Sequence, residues 1–350
     1  LESAIKSVKN GDTIVLKKNV SYTKPLTISR SGKSFTINLN KKTITFQNAK
    51  SYLSVKKGTV ILKNGTLVQK ADKAYIIKTA KDTKLTVDSG TYKELITNIG
   101  TMTIKNGTFT NIGKTTTLDY ATINNKGTMT INGGTINGKK MQAVSNQGKM
   151  TINGGTFKTA IPFGEGLEDP NIPEQQPDTL IYNYGKGRLT INGGKFTSTV
   201  LSLLNTEKAA VTVNKGKASF TSQLVGCFTN FGIANVKGGT WTTKEEGWGV
   251  FYNWGPMSVS NVTVKSNWSV LESYDSTILK VQSGKFTSAC NGDPAMIIAF
   301  GESSIRVNAG TFTGKRTWGC WKDEGAAIKL SNAVKMTVKD VNKTGNLFWD

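Results

Sequence analysis

Short runs of alternating apolar and polar residues recur along most of this 350-residue chain, each interrupted by glycine or asparagine. Alternation of this kind marks strands with one buried face. One motif repeats: apolar-Thr-Ile/Val-x-x-Gly-Thr/Lys-aromatic. Clear copies begin at Leu85 (LTVDSGTY), Met102 (MTIKNGTF), Met129 (MTINGGTI), Met150 (MTINGGTF) and Leu189 (LTINGGKF). Looser copies begin at Ala234 (ANVKGGTW), Leu279 (LKVQSGKF) and Ile305 (IRVNAGTF). An Asn-x-Gly signature precedes many of them, at Asn98, Asn125, Asn146, Asn230 and Asn253, and with a longer spacer at Asn183. One unit therefore reads as strand, Asn-x-Gly turn, strand, glycine turn, aromatic.

Strands this short cannot bury a face alone, and no helix-period segment follows them to form crossovers. Stacking the units in register solves the problem, because each strand then pairs with its equivalent in the next unit. The expected fold is all-β, a parallel β-helix of about twelve coils. The glycines four residues beyond the motif threonine, such as Gly155 and Gly194, should hold backbone positions that a Cβ penalises. The aromatics two residues later (Tyr92, Phe109, Phe157, Phe196, Trp241, Phe286, Phe312) should stack internally. The asparagines should bridge backbone groups between coils.

The chain opens with LESAIKSVKNGDTIVL, read as a short amphipathic helix with Leu1, Ile5 and Val8 on one face, then a Gly-Asp turn into a strand. This resembles the entry to right-handed β-helices of the pectin-lyase-like superfamily, in which a helix caps the open core. The stretch Pro25 to Thr45 and the INGGTF-type repeats resemble β-helix modules of cell-surface and adhesin proteins of Gram-positive bacteria. The resemblance implies a secreted or surface location and admits both polysaccharide lyases and non-catalytic glycan binders; fold alone does not choose between them. The chain begins at Leu1 and reads as a piece of a longer polypeptide.

Composition narrows the chemistry. With no histidine, there is no Ser-His-Asp or Cys-His catalysis and no imidazole metal site. Three cysteines (Cys227, Cys290, Cys320) build no disulfide framework, although Cys290 and Cys320 sit one coil apart and leave a single bridge open. No apolar run is long enough to span a membrane. The formal net charge is +22. Residues 1–160 carry 26 Lys and Arg against 7 Asp and Glu, whereas residues 161–350 carry 19 against 16. Such a field attracts polyanions. Arginine, the better reader of bases and phosphates, occurs only at positions 30, 188, 306 and 316, which disfavours nucleic acid and favours an acidic polysaccharide.

Aromatics are distributed the other way, and all seven tryptophans lie beyond residue 240. The variable residue of the Asn-x-Gly turn is Tyr184, Phe231 and Trp254 in the C-terminal half, with Trp248 and Tyr252 nearby. Stacked turns would line these up as a stripe suited to sugar rings. The longest interruption, residues 159–179, is rich in proline and acids. It must leave the ladder as a loop. Its Glu165, Glu168 and Asp169 are candidate ligand contacts and offer carboxylates to a calcium ion; no other cofactor is expected. The repeats contain no Asp-Asp pair, and the acids Glu245, Glu246, Glu272 and Asp275 are scattered, so paired-carboxylate catalysis has little to build on. The leading expectation is a non-catalytic, adhesin-like carbohydrate-binding domain. A polysaccharide lyase is the alternative, and a structural stalk or phage tail component the third reading.

Overall fold

The computed structural model describes residues 1–111, 121–161, 179–244, 249–290, 292–314 and 317–341. The fold is all-β, a parallel β-solenoid of about 13 turns with one short N-terminal helix, Glu2–Ser7. The chain divides into two compact units, Leu1–Ile161 and Pro162–Asp350. That division coincides with the start of the proline-rich stretch, whose residues 162–178 lie outside the described ones.

In the first unit a regular coil has three strands, one more than the motif predicts. Leu95–Asn98 leads into the Asn-x-Gly turn, Thr101–Ile104 follows it, and Thr108–Thr110 follows the glycine turn. The aromatic thus sits at the centre of a short strand of its own rather than ending the unit. Leu85, Met102, Met129 and Met150 fall in one column by strand register, and Val87, Ile104, Ile131 and Ile152 in the next inward one. All eight are buried. The helix is shorter than the sequence suggests, because Val8 already has extended backbone, but Ile5 and Val8 are buried.

The aromatic column forms as expected, with gaps. Tyr92 stacks on Phe109 at 4.9 Å between centroids. Phe109 then aligns with Ile136, and Ile136 with Phe157. In the second unit Phe196, Phe220 and Trp241 stack at 4.5 and 3.9 Å. Val264 breaks the run before Phe286 and Phe312 stack at 4.4 Å. Phe220 belongs to this column although its coil carries only a degenerate motif.

Buried asparagines make amide ladders. Asn98 donates to Asn125 at 2.8 Å, and Asn125 to Asn146 at 2.8 Å. In the second unit Asn183 donates to Asn205 at 2.7 Å, Asn205 to Asn230 at 2.8 Å and Asn230 to Asn253 at 3.0 Å. The donating amides also reach backbone carbonyls, as Asn98 does to Gly100 and Thr128, while Asn253 at the end of its ladder reaches the Ser273 and Thr277 hydroxyls. The turns themselves stack so closely that a Cβ on Gly148 would lie 2.1 Å from the Gly127 carbonyl oxygen. Gly155 has φ +109°, the left-handed region where side chains are strained.

Cys227, Cys290 and Cys320 are buried and reduced, and the register aligns Cys320 with Ile297 rather than with Cys290. The bridge left open by the sequence is therefore not formed. Burial pushes the Cys227 and Cys320 thiols up to about 12.

Two stability tests follow from this packing. Gly155→Val should cost about 1–3 kcal/mol through backbone strain, and Gly148→Ala at least as much, both read from urea midpoints. Unchanged midpoints for both would show that the turns do not stack. Asn205→Ala should cost about 1–3 kcal/mol, because it strands a buried donor on Asn183 and an acceptor on Asn230. The exposed Asn153, which donates to Asn132 at 2.7 Å, should tolerate alanine within about 0.5 kcal/mol.

Candidate functional site

In the second unit the residue after each inward asparagine points outward, as the turn geometry requires. By strand register the column runs Tyr184, Thr206, Phe231, Trp254, Tyr274 and Phe300. Phe231 and Trp254 stack at 5.0 Å, Trp254 and Tyr274 at 4.1 Å, and Tyr274 and Phe300 at 4.7 Å. All four rings are half-buried. Four successive coils therefore present one continuous aromatic ladder. Tyr274 and Phe300 escape the sequence motif because Ser273 and Ala299 stand where Asn would be.

Tyr184 is half-buried and stacks on Tyr182 at 4.7 Å, not on the ladder. Thr206 separates it from Phe231, and an aliphatic cluster of Val200, Leu201, Leu204 and Val225 fills the gap. That cluster covers the outer face of Leu201–Asn205, which is buried on both faces, as is Phe251–Asn253.

Tyr252 is a correction to the expected display. It lies in such a doubly buried strand, is only 7% exposed, and its hydroxyl accepts a hydrogen bond from the Gly249 amide. Trp248, Glu165, Glu168 and Asp169 lie outside the described residues, as does the calcium proposal that rests on those acids.

The stacking also changes what the stripe can do. Rings spaced at one coil rise face one another, so their faces are occupied and their edges line the surface. Sugar rings cannot insert between them. The apolar surface that remains open lies beside the ladder, on the strand that follows the turn. There Ile233, Pro256 and Ile278 occupy an outward row that carries Thr101, Thr128 and Lys149 in the first unit. Ile233 is 59% and Ile278 40% exposed. They flank a groove of about 570 Å³ with Asn235, Ser258, Ser276, Thr277 and Lys280 as polar lining. Two exposed isoleucines at strand positions held in the first unit by Thr101, Thr128 and Lys149 are a readable signal that the repeat motif does not contain.

A buried carboxylate sits under this corner. Glu272 is 4% exposed and accepts hydrogen bonds from the Tyr274 hydroxyl at 2.5 Å and from Ser269. Burial raises its pKa above the ordinary carboxylate value, the two hydrogen bonds opposing the shift in part. Asp275, its nearest acidic neighbour in sequence, is exposed in the turn at φ +56°. Glu245 and Glu246 lie outside the described residues. Among the described residues no three of Cys, Asp and Glu converge. Among the described residues no helix is long and apolar enough to cross a membrane.

No known family, curated protein or solved structure matches the chain significantly.

The Glu272 environment predicts a pH dependence. A carboxyl with a folded-state pKa raised above its unfolded value adds stability in full at pH below about 4.5, and loses it as pH rises through the folded pKa. Glu272→Gln should flatten that decline and leave the variant more stable than the parent at pH 7. Parallel urea-unfolding profiles from pH 4 to pH 8 would show that Glu272 is not the group responsible.

Proposed function

We propose that this solenoid is a non-catalytic carbohydrate-binding module, with its glycan site at the aromatic corner and adjoining groove of the second unit. One observation carries the reading: an open groove lined by exposed Ile233 and Ile278, on the strands that follow the stacked aromatic turns. The apolar face of a pyranose suits such a floor. Asn235, Ser258 and Lys280 supply donors and acceptors for its hydroxyls. Coil spacing of about 4.8 Å is close to the length of one sugar residue, so a chain running along the axis would meet equivalent rows at each step. The overall charge of +22 favours an acidic polymer by long-range attraction. With the resemblance to surface modules of Gram-positive bacteria, this supports an extracellular, adhesin-like role.

A structural stalk is the second reading, and the face-to-face ladder favours it, because rings satisfied by one another need no ligand. A single pair of variants separates the two. Ile278→Ser leaves the ladder intact and should weaken glycan binding by about 1–2 kcal/mol, roughly 5–30-fold, in calorimetry against a polysaccharide panel. Trp254→Ala should weaken binding similarly and also lower the unfolding midpoint. If no glycan binds the parent protein while Trp254→Ala still destabilises it, the ladder is structural and the binding reading falls.

A further inference from the structure

The same turn carries a different chemistry in the first unit. Strand register stacks five consecutive turns there, at residues 55–59, 79–84, 98–101, 125–128 and 146–149. Between Thr79 and Asn98 a hydrogen bond of 2.7 Å continues the column, and Asn98, Asn125 and Asn146 follow. The outward positions of this corner hold Lys56, Lys57, Lys81, Lys84, Lys126 and Lys149, all exposed. Asp82 is the one acid on these segments.

Three facts set this column apart from a solvated strand face. Like charges on neighbouring strands repel, and here they occupy four of the five stacked turns, all but residues 98–101, with nothing on the corner to balance them beyond Asp82. None of the six lysines makes an ion pair or ring contact with a described residue. An ion pair of the same unit, Lys105 with Asp88 at 3.1 Å, lies at the other end of the strand, by the glycine turn. Lys78, by contrast, sits over Tyr52 and Tyr75 at 4.7 and 4.1 Å, as a lysine with a packing role does. Protection against edge pairing does not explain the row either, because strands on both sides already occupy these edges.

We infer that this lysine corner is a second binding site, for a linear acidic polysaccharide laid along the solenoid axis. Charge complementarity identifies the class of occupant: cations along one straight edge match a chain bearing carboxylate or sulfate groups at every one or two sugars. Lysine provides point charges on flexible stems rather than the planar fork suited to phosphodiesters, and the corner holds no aromatic side chain on which a base could stack. An acidic polysaccharide is therefore favoured over nucleic acid. The site is independent of the aromatic corner in the second unit and does not require that reading.

The test compares two fourfold variants of equal net charge. One replaces Lys56, Lys57, Lys81 and Lys84 with Gln, and the other replaces the equally exposed Lys17, Lys18, Lys24 and Lys50. Heparin and polygalacturonate serve as anionic probes, dextran as the neutral one and single-stranded DNA as the nucleic-acid one, each at low and physiological salt. The corner variant should lose about tenfold or more in affinity for the acidic polysaccharides, with a shallower dependence of log Kd on log salt. The control variant should stay within about threefold. Equal losses in the two lysine variants would reduce the effect to net charge and overturn the site. Tighter binding of DNA than of either polysaccharide would overturn the class of partner. Failure of every anionic probe to bind would overturn both, while leaving dextran binding at the aromatic corner as a separate result.

Discussion

In-register stacking of parallel coils is the constraint on which everything else here depends. At about 4.8 Å per coil, each side chain has its own equivalent directly above and below it. A residue type is retained in a column only if it is a good neighbour to itself. Asparagine qualifies because one amide both donates and accepts, which produces the runs Asn98–Asn125–Asn146 and Asn183–Asn205–Asn230–Asn253. Flat rings qualify because the coil rise is near their stacking distance, as Phe220 and Trp241 show at 3.9 Å. Glycine qualifies at the turns because a carbonyl from the coil below occupies the space of a Cβ.

This self-complementarity is why so much of the fold was legible in the sequence. Repetition of Asn, Gly and an aromatic at fixed offsets can only be read as columns, and the columns stand where the spacing puts them. Details that depend on neighbours outside the motif were not legible. The third strand of a regular first-unit coil is one, since the residues after the aromatic carry no alternation long enough to announce it. The length of the first helix is another, because Val8 is recruited to the core from extended backbone rather than from a helical turn.

The aromatic corner was legible in part, and for a definite reason. Phe231 and Trp254 lie at outward turn tips because their asparagines face inward, a rule the repeat contains. Tyr274 and Phe300 belong to the same ladder, but Ser273 and Ala299 erase the signature that would identify them. Strand alternation puts Tyr252 outward, but Gly226 lies against its ring and the Gly249 amide binds its hydroxyl, so that face is covered. The groove beside Ile233 and Ile278 depends on reading one outward position down the register, not along the chain.

The two corners differ in what self-stacking does for them, and the difference bears on function. An aromatic ladder stabilises itself, by about 0.5–1.5 kcal/mol for each ring pair beyond simple burial. Its existence is therefore accounted for without any ligand, and only the open groove beside it argues for one. A lysine column gains nothing from stacking and opposes it. Such a column is tolerated because water and salt screen its members, over roughly 10 Å at moderate ionic strength. It stands in a unit whose inward columns leave the outward turn positions free to hold neutral residues, as Ile99 and Gln147 do in the same row. Since nothing in the fold requires positive charge there, the physical argument for a partner is stronger at the lysine corner than at the aromatic one, although the aromatic corner is the more conspicuous on the surface.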